Sequence, residues 1–534
     1  MVGQLDEAAG LDPTVVRGLR WALVRQAITG LAGTAGVLAY TRLLQPEDLG
    51  AVALAFLVYN GLFLLVQAPI RDAVVYYQDR EESHGSAAFW LLLGFSTAAV
   101  ALVMATAGRL GRFYRSPAAA GLTRGMAVAF FFQAVAVVPA GLLLKRFRFA
   151  VHEGLQTVFI LILLAGWVAL ARSGFGPWSL VLPQVAGAIF WAATTWIAAG
   201  FRPTLRPGRE AYRDIVRFSR SLFGNMAIVY LKTNVDNAAA GTLGEGPLGW
   251  YSFGENQSTF VAYGVGSTVA QIALPAMAAV QARIEKLGQV YLDMLRLTAT
   301  LSTPAQIGAI VLADLGIQVL FGEQWLGAVP VFRAYLAFRL IGTLLAISNA
   351  ATSAMGRPDI PFAVDLAQFP LFLGGIWFGL RVWGGITGVA WSLAIVRMVT
   401  GLVYFGVTMR AAGLSTGKTL RYLMPSSVAG AAMGLVVWAL GGRIAPQGIG
   451  ALGSAGVVHR LADATAPPLL ADGLSLLGLI LAGAFSYFVI LLAVDRAGFR
   501  AVAKMGWQIV VPEPVRARIA ASWGRKSHPS TGSG

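Results

Sequence analysis

Fourteen apolar runs of membrane-spanning length constrain this chain more than any other feature of its sequence. Each run holds about 20 residues or more, enough for one helix to cross a hydrocarbon core about 30 Å thick. Only 12% of the 534 residues are charged, whereas soluble domains carry about 25%. The predicted spans are 14–41, 49–77, 86–108, 121–144, 150–171, 178–200, 212–241, 248–278, 288–315, 327–354, 358–380, 385–409, 419–440 and 473–494. The sequence therefore predicts an all-α polytopic membrane protein with about 14 transmembrane helices.

The positions of the basic residues explain the net charge of +16. They fall mainly in short loops between the apolar runs, so they indicate membrane topology, and we expect no nucleic-acid partner. The loops around Lys145, Arg206, Arg283 and Arg410 are basic, and so is the tail 496–534. Because basic loops stay on the cytoplasmic side, we predict a multi-pass protein with both termini in the cytoplasm.

An internal repeat divides most of the chain into two blocks of six spans. LLQPEDLG at 43–50 recurs as TLGEGPLG at 242–249, and GFGPWSLV at 174–181 recurs less closely as GITGVAWSLA at 385–394. Both blocks start on the same side of the membrane, which predicts two lobes related by a pseudo-twofold axis, with a shared cavity and alternating access. The predicted domains are an N-lobe with helices 1–6 (1–200), a cytoplasmic linker (201–213), a C-lobe with helices 7–12 (214–410), helices 13–14 with an external loop at 441–472 (411–495), and a basic cytoplasmic tail (496–534).

Polar residues in the seventh span predict that this helix lines a cavity. Asn225, Lys232 and Asp236 fall on one helical face. A charge inside a bilayer costs at least about 2.5–3.5 kcal/mol on insertion scales, so Lys232 and Asp236 must face protein or water. Their spacing of four lets them pair, and we predict this pair as a site of coupling to H⁺ or Na⁺.

Further polar and charged residues inside the spans extend the predicted cavity. The candidate substrate-binding residues are Arg25, Gln67, Arg71, Asn225, Lys232, Glu255, Arg339 and Arg397. Cations outnumber acids in this set, so we expect an anionic substrate group, such as a phosphate, that arginine can bind in a bidentate manner. The alternative is that each charge only reaches the lipid headgroups or pairs with a neighbouring helix.

The sequence contains no convincing catalytic or metal-binding motif. GLSTGKT at 413–419 resembles a phosphate-binding loop, but Ala412 stands where that motif needs glycine, and a membrane helix precedes it in place of a strand. The chain has no cysteine, and its four histidines are scattered in sequence. We therefore expect a transporter without a cofactor and not an enzyme.

Several short motifs occur along most of the chain in a characteristic order. They are YTRLLQPEDLG at 40–50, NVDN at 234–237, LGWYS at 248–252, Pro275, FGEQWLGAVPVFR at 321–333 and GRPD at 356–359. From about residue 17 to 425, the sequence resembles the polysaccharide-exporting flippases of the superfamily that also contains multidrug extruders and lipid II flippases. Within it, the sequence looks most like the exopolysaccharide branch of the colanic acid and xanthan exporters.

The resemblance implies a flippase of the bacterial inner membrane that carries an undecaprenyl-pyrophosphate-linked oligosaccharide for exopolysaccharide or O-antigen synthesis. The implied partners are membrane lipids and the polysaccharide polymerase machinery, and we expect a monomer. Asp236 matches a recurring acidic residue of the family, whereas Glu255 lies where relatives more often have a basic residue. Two alternatives stay open: an ion-coupled multidrug extruder of the same superfamily, and a non-transporting membrane scaffold for polysaccharide synthesis.

In the mechanism that we expect, Arg25 and Arg71 hold the pyrophosphate while the glycan enters a hydrated cavity and the polyprenyl tail stays in lipid. Rocking of the two lobes then exposes the cavity to the outer side. The last two helices lie outside the duplicated core, and they either widen a groove for the lipid or bind a partner.

Overall fold

All regular structure in the described part of the chain is helical. A computed structural model describes residues 30, 32–77, 81–444, 468–496 and 499. The helices are α1 (32–41), α2 (Pro46–Tyr76), α3 (Glu81–Phe113), α4 (Pro117–Lys145), α5 (Phe149–Arg172), α6 (Trp178–Ala199), α7 (Arg209–Gly241), α8 (Glu245–Ala278), α9 (Ile284–Val311), α10 (Ala313–Phe321), α11 (Val329–Ala354), α12 (Asp359–Phe378), α13 (Gly385–Ala411), α14 (Thr416–Ile444) and α15 (Pro468–Val494). A 3₁₀-helix, Glu323–Ala328, precedes α11, and a π-helix, Gly379–Trp383, extends α12. The prediction of an all-α fold is confirmed.

The chain is a multi-span membrane protein. Within the described residues, ten helices are long and apolar enough to cross a membrane, or eleven if α9 and α10 form one bent span. Helices α7 and α8 have 33 and 34 residues but are not among these membrane-crossing helices. In α7 the cause is polar content, because Lys232 and Asp236 interrupt its apolar segment. The count of 14 stays a prediction, since most of the first predicted span lies outside the described residues.

The first block has its core among α2 to α6. Leu92, Phe130 and Val138 belong to this core, and most of the 29 residues of α4 are buried within it. Gly121 and Gly125 lie one turn apart on α4 and leave room for the ring of Trp178 on α6. Small residues on one face let membrane helices approach closely, which explains how α4 sits at the centre of the block.

The second block packs around α8, α11 and α13, where Tyr251, Tyr335 and Leu393 share one core. Helices α14 and α15 pack against α9 and α10 in a separate core that includes Met433 and Tyr487. The Tyr487 hydroxyl donates a hydrogen bond of 3.0 Å to a backbone carbonyl of α9. The last two helices are therefore attached to the second block through α9 and α10, while the predicted domain boundaries stay predictions.

The ninth predicted span, 288–315, lies mostly within α9 and runs past a sharp bend. Helix α9 ends at Val311, and α10 leaves it at an angle of 82°. The carbonyl oxygen of Ile310 accepts a hydrogen bond of 3.1 Å from Arg333 Nε, and Arg333 also pairs with Asp314 at 2.5 Å. Because the end of a helix leaves carbonyls without partners, this arginine of α11 stabilises a bend at which no proline lies.

The two blocks contact each other through the two copies of the first repeat motif. A β-carbon on Gly50 would lie 1.8 Å from the carbonyl oxygen of Glu245, and one on Gly249 would lie 1.8 Å from that of Pro46. Each glycine lets the backbone of the other block approach, near the start of α2 and of α8. The contact is reciprocal, as between two symmetry-related units. In the predicted topology it lies on the outer side of the membrane.

Candidate functional site

Asp236 on α7 is the centre of a buried cluster in the second block. Its Oδ2 accepts hydrogen bonds from the hydroxyl groups of Tyr335 at 2.7 Å and Tyr251 at 3.2 Å. The same oxygen lies 3.5 Å from Arg397 Nη2 on α13. Its other oxygen accepts a 3.0 Å hydrogen bond from the backbone N–H of Asn237. These donors satisfy both oxygens of a carboxylate that has no exposed surface.

Arg397 supplies the positive charge that balances Asp236. Its guanidinium carbon lies 4.9 Å from the ring centre of Phe372 and 5.2 Å from that of Tyr335. Aromatic faces attract a cation, and this adds to the attraction of the carboxylate. Buried pairs are retained when such contacts offset desolvation. In this conformation the cation beside Asp236 is a side chain of the protein, so an external ion would have to displace it.

Lys232 does not pair with Asp236, and this prediction is wrong. Its ammonium group pairs with the carboxylate of Asp365 on α12. Spacing of four residues permits a pair within a helix but does not require one. Because Arg397 already neutralises Asp236, pairing with Asp365 leaves neither carboxylate without a cation. The predicted coupling role of Asp236 and Lys232 stays a prediction.

Two further predicted arginines also have partners within the protein. Arg339 on α11 is 7% exposed and donates hydrogen bonds to Ser258 Oγ at 3.1 Å and Thr259 Oγ1 at 2.6 Å, both on α8. Arg71, in the last turns of α2, pairs with its neighbour Asp72 at 3.0 Å, and its side chain is 40% exposed. Arg339 therefore ties two helices together, while Arg71 stays accessible.

A cavity of about 1560 Å³ lies between the two blocks and reaches the last two helices. Its polar wall comes from α2, α7 and α8. The wall contains Asn60, Thr233, Asn234, Asn237, Ser252, Glu255, Asn256, Gln257 and Thr259. Helix α1 also contributes to the cavity through Gly33 and Thr34. The predicted cavity therefore exists, and its polar wall spans both blocks.

The same cavity continues as an apolar groove between α9, α14 and α15. Pro304, Met433, Val437, Ile480 and Phe488 are among the residues that line it. The groove is narrow between α14 and α15, because a β-carbon on Gly483 would lie 2.9 Å from the side chain of Val437. A molecule with one polar and one apolar part could therefore occupy a single continuous space.

The charge of the cavity differs from the prediction. Among the described lining residues, Glu255 is the only charged one, whereas a basic cavity was expected. Lys232, Arg339 and Arg397 have partners within the second block and do not line it. Arg71 pairs with Asp72 within the first block and does not line the cavity either. The placement of these four cations on the cavity wall is therefore wrong, while their roles in substrate binding stay predictions. Arg25 lies outside the described residues, as do the side chains of Gln67 and Asn225.

Comparison with known proteins gives the family. Residues 37–330, more than half of the chain, match the family described as polysaccharide biosynthesis protein. The chain belongs to this family. The resemblance drawn from the sequence motifs is confirmed by this match and by the curated relatives.

Two curated relatives match along most of their length. The lipopolysaccharide biosynthesis protein WzxC of Escherichia coli is 23% identical over 450 residues, which are 80% of this chain and 89% of the relative. The succinoglycan biosynthesis transport protein ExoT of Rhizobium meliloti is 26% identical over 441 residues, which are 79% of this chain and 86% of the relative.

Two solved structures share the fold. The lipid II flippase MurJ in an inward closed conformation has a TM-score of 0.67 at 15% identity, and covers 90% of this chain and 99% of its own. A multidrug resistance transporter of the MATE family, in an inward-facing conformation, has a TM-score of 0.56 at 15% identity, and covers 73% of this chain and 98% of its own. At this identity the likeness shows the fold alone.

Several residues of the site escaped sequence reasoning. Tyr251 and Tyr335 hold Asp236, and Asn237 donates a hydrogen bond of 2.8 Å to Glu255 Oε2. Tyr251 lies within LGWYS and Asn237 within NVDN, so two motifs already contained them. Nothing in the sequence singles out Tyr335, because its contact with Asp236 depends on how α11 packs.

Proposed function

We propose that this chain is a flippase that moves an undecaprenyl-pyrophosphate-linked oligosaccharide from the inner to the outer leaflet of the bacterial inner membrane. One observation carries the proposal: a polar wall and an apolar groove form one continuous cavity. The substrate has the same two parts, a hydroxyl-rich glycan and a polyprenyl chain. The names of WzxC and ExoT, which include polysaccharide biosynthesis and transport, support this choice.

Alternating access would move the substrate through this cavity. Gly50 contacts the Glu245 carbonyl, and Gly249 contacts the Pro46 carbonyl. These contacts would close one side of the two blocks, and rocking about the cavity would open it. The glycan would lie against α2, α7 and α8, and the lipid in the groove of α9, α14 and α15. Arg25, predicted on the helix that contributes Gly33 to the cavity, and the accessible Arg71 are the proposed contacts of the pyrophosphate.

The topology, assembly and coupling belong to the same proposal. Both termini would be cytoplasmic, because the basic loops then face the cytoplasm. The protein would act as a monomer beside the polysaccharide polymerase.

Any coupling to H⁺ or Na⁺ would act by releasing Arg397 from Asp236, since that pair is buried inside the second block. If the flipping rate does not change when a proton or sodium gradient is imposed, coupling is contradicted.

Lipid extracts and secreted polysaccharide from a strain without this gene would test the proposed function. We expect loss of polymer and accumulation of an oligosaccharide on the polyprenyl carrier, whose mass would identify the repeat unit. The intact gene should reverse both effects. Unchanged polymer together with an unchanged carrier pool would contradict the proposal.

A multidrug extruder is the second candidate function, and one observation favours it. Glu255 is the only charge among the described lining residues, and an acidic cavity suits cationic drugs. The same deletion strain separates the two functions, because an extruder predicts new sensitivity to cationic drugs with normal polymer. The remaining alternative, a non-transporting scaffold, leaves a cavity of about 1560 Å³ without a role.

A further inference from the structure

The polar wall of the cavity is rich in carboxamide side chains. Five of them, here called the amide wall, line it: Asn60 on α2, Asn234 and Asn237 on α7, and Asn256 and Gln257 on α8. A carboxamide both donates and accepts hydrogen bonds, as a sugar hydroxyl does. A phosphate or carboxylate only accepts, so anions are better matched by arginine. The chemistry of this wall therefore matches uncharged hydroxyl groups.

Part of the amide wall is held in place and part is available to a ligand. Asn256 Nδ2 donates a hydrogen bond of 2.8 Å to the Ser252 carbonyl, and Asn234 Nδ2 donates one of 3.0 Å to the Tyr230 carbonyl. These bonds orient the two side chains and leave their amide oxygens as acceptors. The amides of Asn60 and Gln257 form no hydrogen bond with any described residue.

Glu255 brings a carboxylate to the same wall. Its Oε2 accepts the 2.8 Å hydrogen bond from Asn237, whose own amide oxygen accepts one of 2.7 Å from Ser252. Within the described residues, the second carboxylate oxygen of Glu255 has no hydrogen-bond donor. A free carboxylate oxygen is a strong acceptor for a sugar hydroxyl, and it repels another anion at short range.

The cations that could neutralise the charge of Glu255 have partners inside the second block. Arg397 pairs with Asp236, and Arg339 donates to hydroxyl groups of α8. Neither lines the cavity, and Lys232 pairs with Asp365. An acidic sugar against this wall would therefore meet Glu255 without a described cation at the cavity surface. Such a like-charge contact discriminates against an acidic ligand.

We propose that the amide wall and Glu255 form a glycan subsite for uncharged, hydroxyl-rich sugars and that this subsite excludes hexuronates and other acidic sugars. The inference rests on the proposed flippase function and specifies its substrate class. The amides would donate hydrogen bonds to sugar hydroxyl groups and accept hydrogen bonds from them. Glu255 would accept a hydrogen bond from one hydroxyl group. The pyrophosphate would be bound elsewhere, outside the amide wall.

Proteoliposomes containing the full chain test this subsite directly. Two substrates would be compared, both on undecaprenyl pyrophosphate and with the same number of sugars: one with neutral hexoses only, and one with an internal hexose replaced by glucuronate. Their shared terminal sugar would be captured by a membrane-impermeant lectin as it crosses. We expect the neutral substrate to flip at least tenfold faster.

The outcomes separate the inference from the proposed function. Equal rates, or faster flipping of the glucuronate substrate, would overturn the subsite while leaving the flippase intact. If neither substrate crosses faster than in vesicles without protein, the flippase proposal fails and the subsite fails with it.

Two variants connect the discrimination to Glu255. Glu255→Gln removes the charge and keeps an acceptor for Asn237, so the ratio of neutral to acidic rates should fall at least fivefold. Asn60→Asp adds a carboxylate and should raise that ratio. Glu285→Gln, an exposed position in the first turn of α9, is the matched control and should leave the ratio unchanged. An unchanged ratio in both cavity variants would overturn the role of this wall.

Discussion

Asp236 and Arg397 are both withdrawn from solvent, and each is the counter-charge of the other. Removing one partner of a buried pair leaves an uncompensated charge, which costs about 3–5 kcal/mol. Arg397→Gln should therefore lower the unfolding temperature of the protein in detergent markedly. Adding Asp236→Asn to this variant should recover a large part of the loss, since neither charge is then unpaired.

The matched control for this pair is Arg357→Gln, because Arg357 pairs with Asp359 at 3.0 Å in an exposed position. Exposed pairs contribute little, so its unfolding temperature should not change. If Arg397→Gln behaves like this control, Asp236 and Arg397 do not form the buried pair described.

Lys232 and Asp365 connect α7 to α12 and suit a charge-exchange experiment. Lys232→Ala should leave folding largely intact and strongly reduce polysaccharide export, measured as secreted polymer. The exchanged variant, Lys232→Asp with Asp365→Lys, should recover part of the export if the pair itself matters. Normal export in Lys232→Ala would show that this lysine has no part in transport.

At the residue scale, the sequence predicts which side chains avoid contact with lipid, but it does not predict which residues they pair with. Asp236 is buried inside protein, as the cost of a charge in lipid predicts, whereas Lys232 is partly exposed beside Asp365. The mutual pairing of Lys232 and Asp236 was wrong, since the competing partners Arg397 and Asp365 lie more than 120 positions away. Sequence spacing along one helix contains no information about such contacts.

At the scale of helices, the contact between α2 and α8 offers a direct test of the outer closure. Gly50→Ala or Gly249→Ala would place a β-carbon 1.8 Å from a carbonyl oxygen of the other block, so the two helices must separate. The chain has no native cysteine, so Asn60→Cys would be a unique label site in the cavity. We expect a membrane-impermeant maleimide to label it several-fold faster from outside when either glycine is replaced.

Gly94→Ala is the control for this experiment, because no atom lies within 4 Å of the added β-carbon on α3. Alanine in place of glycine inside a helix is otherwise favourable by about 0.5–1 kcal/mol. Equal labelling rates in all the variants would mean that the two glycines do not close the outer side.

Helices were the best predicted elements of this fold. Every predicted span from the second to the fourteenth overlaps a described helix, because a run of apolar residues is sufficient evidence for one. The bend of 82° after Val311 was not predictable, since it depends on hydrogen bonding from Arg333 on another helix. Helix α7 is long enough to cross the membrane, but its polar residues keep it from counting as an apolar span.

At the scale of the whole molecule, one cavity joins a polar wall to an apolar groove. The sequence predicted a cavity between the blocks from the repeat. It left the role of the last two helices open, and the structure places both against the groove through Met433 and Ile480. The described part of the cavity wall lacks the expected excess of cations, because counting cations does not show which of them are neutralised inside a block.

Photo-crosslinking from single positions tests most directly whether this cavity holds the substrate. A benzophenone amino acid at Ile480 should capture the polyprenyl chain of the carrier-linked oligosaccharide, and one at Asn60 should capture its glycan. Phe485 is the matched control, because it lies five residues after Ile480 on α15, is 74% exposed and does not line the cavity. Substrate adducts at Ile480 and Asn60 that far exceed those at Phe485 are the predicted result. Equal adducts at all three positions would contradict a substrate path through the cavity.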